Sequence, residues 1–497
     1  MKNDDLIVFN HYYRLKHDQK RSYILSPESD YPKIALNNGL LSKIHPIYAM
    51  IFSFFSRPIQ LGKAIDEISY FLDMPQDSLR TFITGLIGNN EMSHCLSKDG
   101  AINNFPSNIL IKESDAFAKE VQYTPQQFAY TELDMATERM ITGPVSILLM
   151  INNTCVTQCC YCYADKKTKA NLMSFEQIKA LIKKAYEANV FEFMISGGEI
   201  FLHENWQELV EELMKYGYKP PLLSTKVPIN ETDINKLKKY DIRLQISLDS
   251  LNSAVLSKML IVNSKYAEKI KQTIAQVDQK GVPFQIATVI TKYNEQLESL
   301  EEIYNFLSRF KNLLRWEVRI AFRSLYSRED FDQIKISKVS EQKISDWVKN
   351  KQKSSDMNII WTPSEGGNRY FQCDSGSSNF TGARCSANYC NIVCMPDGKV
   401  TLCEQLYWNP RFIIGDVSTQ SIEEIWNSPR ALKLVNLKKE DFRDASVCKQ
   451  CNIFSECYSF PNKCYAEVLK AYGDENWDYP DPRCKYAPPF IYDLLNS

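Results

Sequence analysis

The chain has almost no net charge: 59 Lys and Arg stand against 60 Asp and Glu. A protein that gripped nucleic acid would need a basic face, so no nucleic-acid partner is expected. Long apolar runs are missing too. The longest, such as 44–55, are broken by His, Pro or Ser and fall short of the roughly 20 residues that cross a bilayer, so no membrane partner is expected. The opening Met1-Lys2-Asn3-Asp4-Asp5 is not followed by an apolar segment of the signal-peptide kind. Low-complexity tracts and fixed-period repeats are absent. These absences lead to the expectation of a globular, cytoplasmic protein.

What the chain does have is core-forming material and sulfur. Hydrophobic residues make up 44% of the 497 positions and aromatic residues 12%, enough for about three domains. Fifteen cysteines in a reducing compartment point to metal rather than to disulfides.

The most telling cysteines are Cys155, Cys159 and Cys162, spaced C-x3-C-x2-C directly after the apolar, strand-like run 145–151. Three thiolates on one tight loop can hold three irons of a cubane and leave the fourth iron open to a cosubstrate, whereas fully ligated clusters usually carry electrons. Structural zinc normally takes two pairs of ligands, and no His lies in this loop. Disulfides would need an oxidising compartment. Cys160 breaks the three-ligand spacing and reads as a packed thiol. With Tyr161 as the aromatic residue before the last Cys, the loop resembles that of the radical S-adenosylmethionine (SAM) superfamily. The resemblance implies an open iron that chelates the amine and carboxylate of SAM, and an electron that cleaves the sulfonium to a 5′-deoxyadenosyl radical.

Beyond the loop, helix-like and strand-like segments alternate. Helices are expected at 175–188, 206–215, 233–239 (with Thr232 as N-cap), 266–280 and 297–310. Strands are expected at 190–195, 221–224, 243–248, 284–291 and 315–322. Such alternation predicts an α/β fold with a parallel sheet and ligands at the C-terminal strand ends. The resemblance sharpens this to a partial (β/α)6 radical SAM barrel over residues 143–330. Ser196-Gly197-Gly198-Glu199 follows a strand directly. Glycines there admit a close ligand, and the carboxylate can accept from an ammonium; in the family this motif binds the SAM amino group. Ser224-Thr225-Lys226 and Ser247-Leu248-Asp249 end the next two strands. By resemblance Ser247 and Asp249 lie near the ribose hydroxyls, with Arg319 a possible partner of the SAM carboxylate. The plainer reading of Ser247 and Asp249 is helix capping.

From Cys385 onward come nine more cysteines. Cys385-x12-Gly398-x4-Cys403, then Cys448-x2-Cys451-x5-Cys457-x6-Cys464, then Cys484, resembles the SPASM extension of radical SAM peptide maturases, which carries two auxiliary 4Fe–4S clusters. The departure is x6 before Cys464, where x3 is usual. Pro396-Asp397-Gly398 reads as a hairpin turn that brings Cys385 and Cys403 together. The resemblance implies Cys385, Cys403 and Cys464 on the first auxiliary cluster, with Cys390 as the fourth ligand and Cys373 or Cys394 as alternatives. It implies Cys448, Cys451, Cys457 and Cys484 on the second. Zinc ribbons are the competing reading of this region. The SPASM domain is expected over 385–497, after a bridging region at 331–384.

Residues 1–115 lie outside both modules, with 116–142 as a linker. A hairpin from 6–15 and 21–25, three helices at 46–55, 61–72 and 76–87, and a second hairpin from 92–96 and 109–112 around Lys98-Asp99-Gly100 form a winged-helix-like pattern. The segment 65–87 is acidic and poor in Lys and Arg, which argues against phosphate contacts. In peptide-modifying members of the superfamily this position holds a precursor-recognition element that captures a leader peptide by β-augmentation. The expected function is thus a radical SAM oxidoreductase that modifies a ribosomally made precursor peptide carrying a leader. It would install a thioether or a carbon–carbon or ether cross-link, using three 4Fe–4S clusters, SAM and an electron donor such as flavodoxin or ferredoxin. An anaerobic sulfatase-maturing enzyme and a peptide epimerase are the alternatives.

Overall fold

In the computed structural model, which describes residues 1–27, 39–97, 100–116, 121–363, 385–458 and 463–494, the chain divides into two units, Met1–Thr142 and Gly143–Ser497. The first contains strands β1 (Leu6–Phe9), β2 (Arg14–His17), β3 (Ser22–Leu25), β4 (Leu41–Ile44), β5 (Ile59–Gln60), β6 (Ser93–Leu96), β7 (Ile102–Phe105) and β8 (Leu110–Lys112). They form three small antiparallel sheets in the orders β5-β1-β8, β2-β3-β4 and β6-β7.

Both expected hairpins differ from those found. The run 6–15 is not one strand, because a turn at Asn10 breaks it: the Asn10 carbonyl accepts from Tyr13 N at 2.9 Å and its side chain from Tyr12 N at 3.1 Å. β1 and β2 therefore enter different sheets, and the hairpin is β2–β3. Likewise β6 pairs with β7, and the 110–112 segment pairs with β1 instead. Gly100 (φ +83°) supplies the left-handed residue of that turn; Lys98 and Asp99 lie outside the described residues. Helices Pro46–Ser53, Leu61–Leu72 and Gln76–Leu86 fall within the expected ranges. Ala64, Ile65 and Ile68 of one helix and Leu79, Ile83 and Leu86 of the next recur at helical spacing, and all are buried in one core with Phe52 and Phe105.

Residues 121–142 belong to this first unit. Asp18, buried, accepts from Thr142 N at 2.8 Å and Ile141 N at 2.9 Å. Arg21, also buried, donates to the Thr137 carbonyl at 2.6 Å and pairs with Asp18 at 3.0 Å.

The second unit holds β9 (Ser146–Met150), β10 (Glu192–Ser196), β11 (Leu222–Thr225), β12 (Arg243–Ser247), β13 (Phe284–Ile290), β14 (Leu313–Ile320) and β15 (Ile359–Thr362). Between them run helices Phe175–Glu187, Trp206–Lys215, Glu231–Lys239, Ser253–Leu260, Tyr266–Gln279 and Leu297–Leu307. Ser174 caps the first helix through a capping box with Gln177. Asn230, not Thr232, caps the helix at Glu231–Lys239: its side chain accepts from Asp233 N at 2.9 Å.

Strands β11 to β15 form one parallel sheet in sequence order. β9 and β10 do not continue it. They pair in parallel with each other, and β9 pairs in parallel with β16 (Asn391–Cys394), which leads antiparallel into β17 (Lys399–Thr401) and β18 (Ile413–Asp416). The fold is thus α/β with a mixed sheet that ties the cysteine-rich C-terminal region to the core. Where a ladder between β10 and β11 would run, side chains bridge instead. Tyr218 donates to the Val190 carbonyl at 2.9 Å, and the Glu199 carboxylate accepts from Lys226 N at 3.0 Å. Among the described residues no helix is long and apolar enough to cross a membrane.

Candidate functional site

The loop after β9 is held from both sides. Gln158 N and Cys160 N donate to the carbonyls of Leu260 and Met259 at 2.7 and 2.8 Å. Asp165, nearly buried, organises the return through Lys167 N (2.9 Å) and the Thr168 hydroxyl (2.6 Å), and the Asn153 amide donates to the carbonyls of Asp165 and Thr168. The Thr157 hydroxyl lies 3.2 Å from Cys155 Sγ and 3.4 Å from Cys159 Sγ, so one buried oxygen bridges two of the three thiols. Cys162 faces the Ala164 amide at 3.4 Å. Cys160 is fully buried, and burial pushes its thiol up to about 12; it packs rather than opening onto the loop's face.

Ser196, Gly197, Gly198 and Glu199 lie directly against this loop. The Asn152 side chain accepts from Gly198 N at 3.1 Å and donates to the Glu199 carbonyl at 3.0 Å. The glycines are required by this approach. A Cβ on Gly197 (φ +155°) would stand 2.8 Å from the Asn152 carbonyl oxygen, and one on Gly198 would stand 2.2 Å from that of Thr154. Glu199 is buried, and burial raises its carboxyl above the usual range against the backbone donors Lys226 N and Phe201 N. Each carboxylate oxygen keeps further acceptor capacity for an ammonium.

Lys226 ends β11 and points at the same place. Its Nζ donates to Tyr161 Oη at 2.7 Å and to Asp249 Oδ2 at 2.8 Å. The Tyr161 hydroxyl also donates to Asp249. Burial alone would depress the lysine, but the Asp249 carboxylate beside it outweighs burial and raises its pKa. The carboxylate of Asp249 is therefore occupied by partners within the chain. Ser247 closes β12, half-buried, two residues before it. Arg319 pairs with Glu317. Thr157 and Asn152 were not singled out by sequence, and Lys226 was named only as the end of a strand segment. Thr and Asn in a loop have no spacing to mark them, and a strand-end lysine reads as solvated.

The C-terminal cysteines gather in two groups. The β16–β17 hairpin turns at Gly398 (φ +87°) and returns the chain to Cys403. Burial raises the thiols of Cys385, Cys403 and Cys464; Cys385 and Cys464 act on Cys403, and Cys385 acts on Cys464. Cys390 stands beside Cys385, the cysteine that acts on it, with burial pushing it up to about 12. Glu404, which sequence did not suggest, lies 3.6 Å from Cys403 Sγ. Cys394 is fully buried in β16. Cys373 lies outside the described residues. Cys448, Cys451, Cys457 and Cys484 line one pocket. All fourteen described cysteines are free of disulfides. Among the described residues no three His, Cys, Asp or Glu converge as a single metal ion requires. A cubane spreads its thiolates over separate corners, a wider arrangement than a single ion requires. Tyr407 (φ +41°), fully buried, packs with Tyr163 and Cys162 and joins the C-terminal region to the three-cysteine loop.

Fold and site together define the class. The family model of the radical SAM superfamily matches residues 149–307, and that of the SPASM iron–sulfur cluster-binding domain matches residues 385–452. The chain thus carries a segment that matches the radical SAM superfamily and a later one that matches the SPASM domain. It is 24% identical over 339 residues to the antilisterial bacteriocin subtilosin biosynthesis protein AlbA of Bacillus subtilis, covering 66% of this chain and 68% of that protein. A shorter match, 34% over 113 residues, is to the GTP 3′,8-cyclase of a Sulfurovum species and spans 34% of that protein and 21% of this chain. Its fold is shared with Streptococcus suis SuiB bound to precursor peptide SuiA, with a TM-score of 0.63, 13% identity, and coverage of 96% of this chain and 100% of that one.

Proposed function

We propose that the chain is a maturase that modifies a ribosomally made precursor peptide by hydrogen abstraction and installs a thioether or a carbon–carbon or ether cross-link. The carrying observation is the three-cysteine loop pinned through Asn152 beside the buried Glu199. The likeness to a bacteriocin biosynthesis protein and to the fold of a precursor-bound enzyme supports a peptide substrate.

In this reading Cys155, Cys159 and Cys162 hold the SAM-binding cluster, which supplies the electron that generates the 5′-deoxyadenosyl radical. Glu199 accepts from the SAM ammonium, with Ser196, Gly197 and Gly198 letting it approach. Tyr161, Ser247 and Asp249 line the adenosine side, and Lys226 fixes the orientation of Tyr161 and Asp249. Cys385, Cys390, Cys403 and Cys464 hold one auxiliary 4Fe–4S cluster, and Cys448, Cys451, Cys457 and Cys484 the other, giving three in all. The core is assigned as a partial (β/α)6 barrel over 143–330, with a bridging region at 331–384 and the SPASM domain at 385–497. The N-terminal unit is assigned as a winged-helix-like element that binds the leader. In support, the cross-strand pair Leu96 and Ile102 on the β6–β7 ribbon is exposed and apolar. A cytoplasmic location and a flavodoxin or ferredoxin donor complete the reading.

The test pairs the enzyme with a short peptide encoded beside it. Mass spectrometry of the co-expressed peptide should show the loss of two hydrogens per modification. Replacing Cys155, Cys159 and Cys162 together with Ala should abolish 5′-deoxyadenosine formation and leave roughly eight irons, four per remaining cubane. Deoxyadenosine formed by the triple variant, or deuterium uptake without mass loss in the peptide, would overturn the assignment.

A further inference from the structure

Lys463 is a cation placed between the two C-terminal cysteine groups. It lines the pocket that holds Cys448, Cys451, Cys457 and Cys484, and also the neighbouring pocket that holds Cys385. Its ammonium sits in an aromatic cage: Nζ is 5.1 Å from the ring centre of Tyr465, 5.3 Å from that of Phe442 and 6.0 Å from that of Trp477, and 3.4 Å from Tyr458 Oη. Aromatic faces attract such a charge, but they do not neutralise it.

The nearby carboxylates are already engaged. Asp478 accepts from Arg443 N at 2.9 Å and Arg443 Nε at 3.1 Å, and Asp481 pairs with Arg483 at 2.6 Å and accepts from Cys464 N at 2.8 Å. Among the described residues no carboxylate lies in ion-pair range of Lys463. Burial lowers the ammonium from its usual range, while Cys448, Asp478, Asp481 and Cys457 favour its charged form; Cys448 and Cys457 line the same pocket. Lys463 also belongs to the x6 stretch between Cys457 and Cys464, the place where this chain departs from the shorter x3 spacing.

A cluster held by four thiolates gains a negative charge on reduction, and a fixed cation beside it favours that reduced form. On the reading that these four cysteines hold an auxiliary cluster, we infer that Lys463 is the counter-cation of that cluster, raising its reduction potential and drawing electrons toward the Cys448 group from the Cys385 group. Lys463 is a positioning charge; it makes no contact with the peptide in this account.

The experiment is an EPR-monitored redox titration of the reconstituted full-length holoenzyme, with Lys463→Met, Lys463→Gln and Lys463→Arg beside the wild type and iron counted in each. The neutral variants should keep their iron and make reduction of one auxiliary cluster at least tenfold harder, about 59 mV lower for a one-electron couple. Lys463→Arg should stay within threefold of the wild type, and the SAM-binding cluster should not move. Potentials unchanged in iron-replete Lys463→Met overturn the inference. If the neutral variants lose the cluster, Lys463→Arg decides: a retained cluster supports the need for charge, and a lost one assigns the residue to packing. A wild type with no second auxiliary signal sinks the ligand assignment itself, and the inference with it.

Discussion

At the scale of single residues, the centre of the site is a buried charge pair. The Lys226 side chain is 14% exposed and Asp249 is fully buried, and the two are joined at 2.8 Å with the Tyr161 hydroxyl on both. Removing one partner of such a pair strands the other charge, at a cost of about 3–5 kcal/mol. Lys226→Met should therefore lower the stability of the full-length protein by that amount in denaturant unfolding. Lys226→Met with Asp249→Asn should recover most of it, because a neutral amide needs no counter-charge. A single variant that loses less than about 1 kcal/mol would show that Asp249 finds another partner. Sequence made the cysteines and the Gly-Gly-Glu turn legible because their chemistry constrains spacing. It named Lys226 and Asp249 at strand ends but missed their pairing, because a pair drawn from the ends of two different strands has no spacing in the chain.

At the scale of elements, the contrast is between local and distant pairing. The helices Phe175–Glu187, Trp206–Lys215, Glu231–Lys239, Tyr266–Gln279 and Leu297–Leu307 and strands β9 to β14 fall within two or three residues of their expected ends, since each carries its own periodicity, whereas the helix Ser253–Leu260 was not expected. The partners of those strands are another matter. β9 aligns Ser146 with Asn391, 245 positions away, and Ser146 Oγ donates to the Asn391 side chain at 2.8 Å; nothing local announces that register. The N-terminal hairpins failed for the same reason, with β1 joining β5 and β8 rather than the strand that follows it. The segment 121–142 was expected as a linker on composition, yet Asp18 and Arg21 tie its end into the first unit through fully buried side chains. Asp18→Asn should leave the Arg21 guanidinium only its longer ion pair to Asp134 at 3.7 Å and destabilise that unit by up to about 3 kcal/mol. Hydrogen exchange should then rise first at 137–142 and in β2–β3, ahead of the helices of the same unit. Unchanged protection there would mean that Asp134 and the carbonyls of Thr137 and Arg139 hold the arginine without Asp18.

At the scale of the whole molecule, the chain divides after Thr142 into two units. Every cysteine of the three groups lies in Gly143–Ser497, while the first unit has its own core around Phe52, Ile65 and Phe105. If the first unit captures the leader by adding it as a strand, main-chain hydrogen bonds give affinity and exposed apolar side chains such as Leu96 and Ile102 give anchoring. Deleting residues 1–142 should then weaken precursor binding about a hundredfold, roughly 2.7 kcal/mol. Iron content and SAM cleavage without peptide should persist, because their residues remain. Leu96→Asp with Ile102→Asp in the full-length enzyme should reproduce part of that loss without removing any of the fold, since both side chains face solvent. Fluorescence anisotropy with a labelled leader measures all three proteins on one scale. Equal affinities would move recognition of the precursor to the second unit and leave the first a structural role.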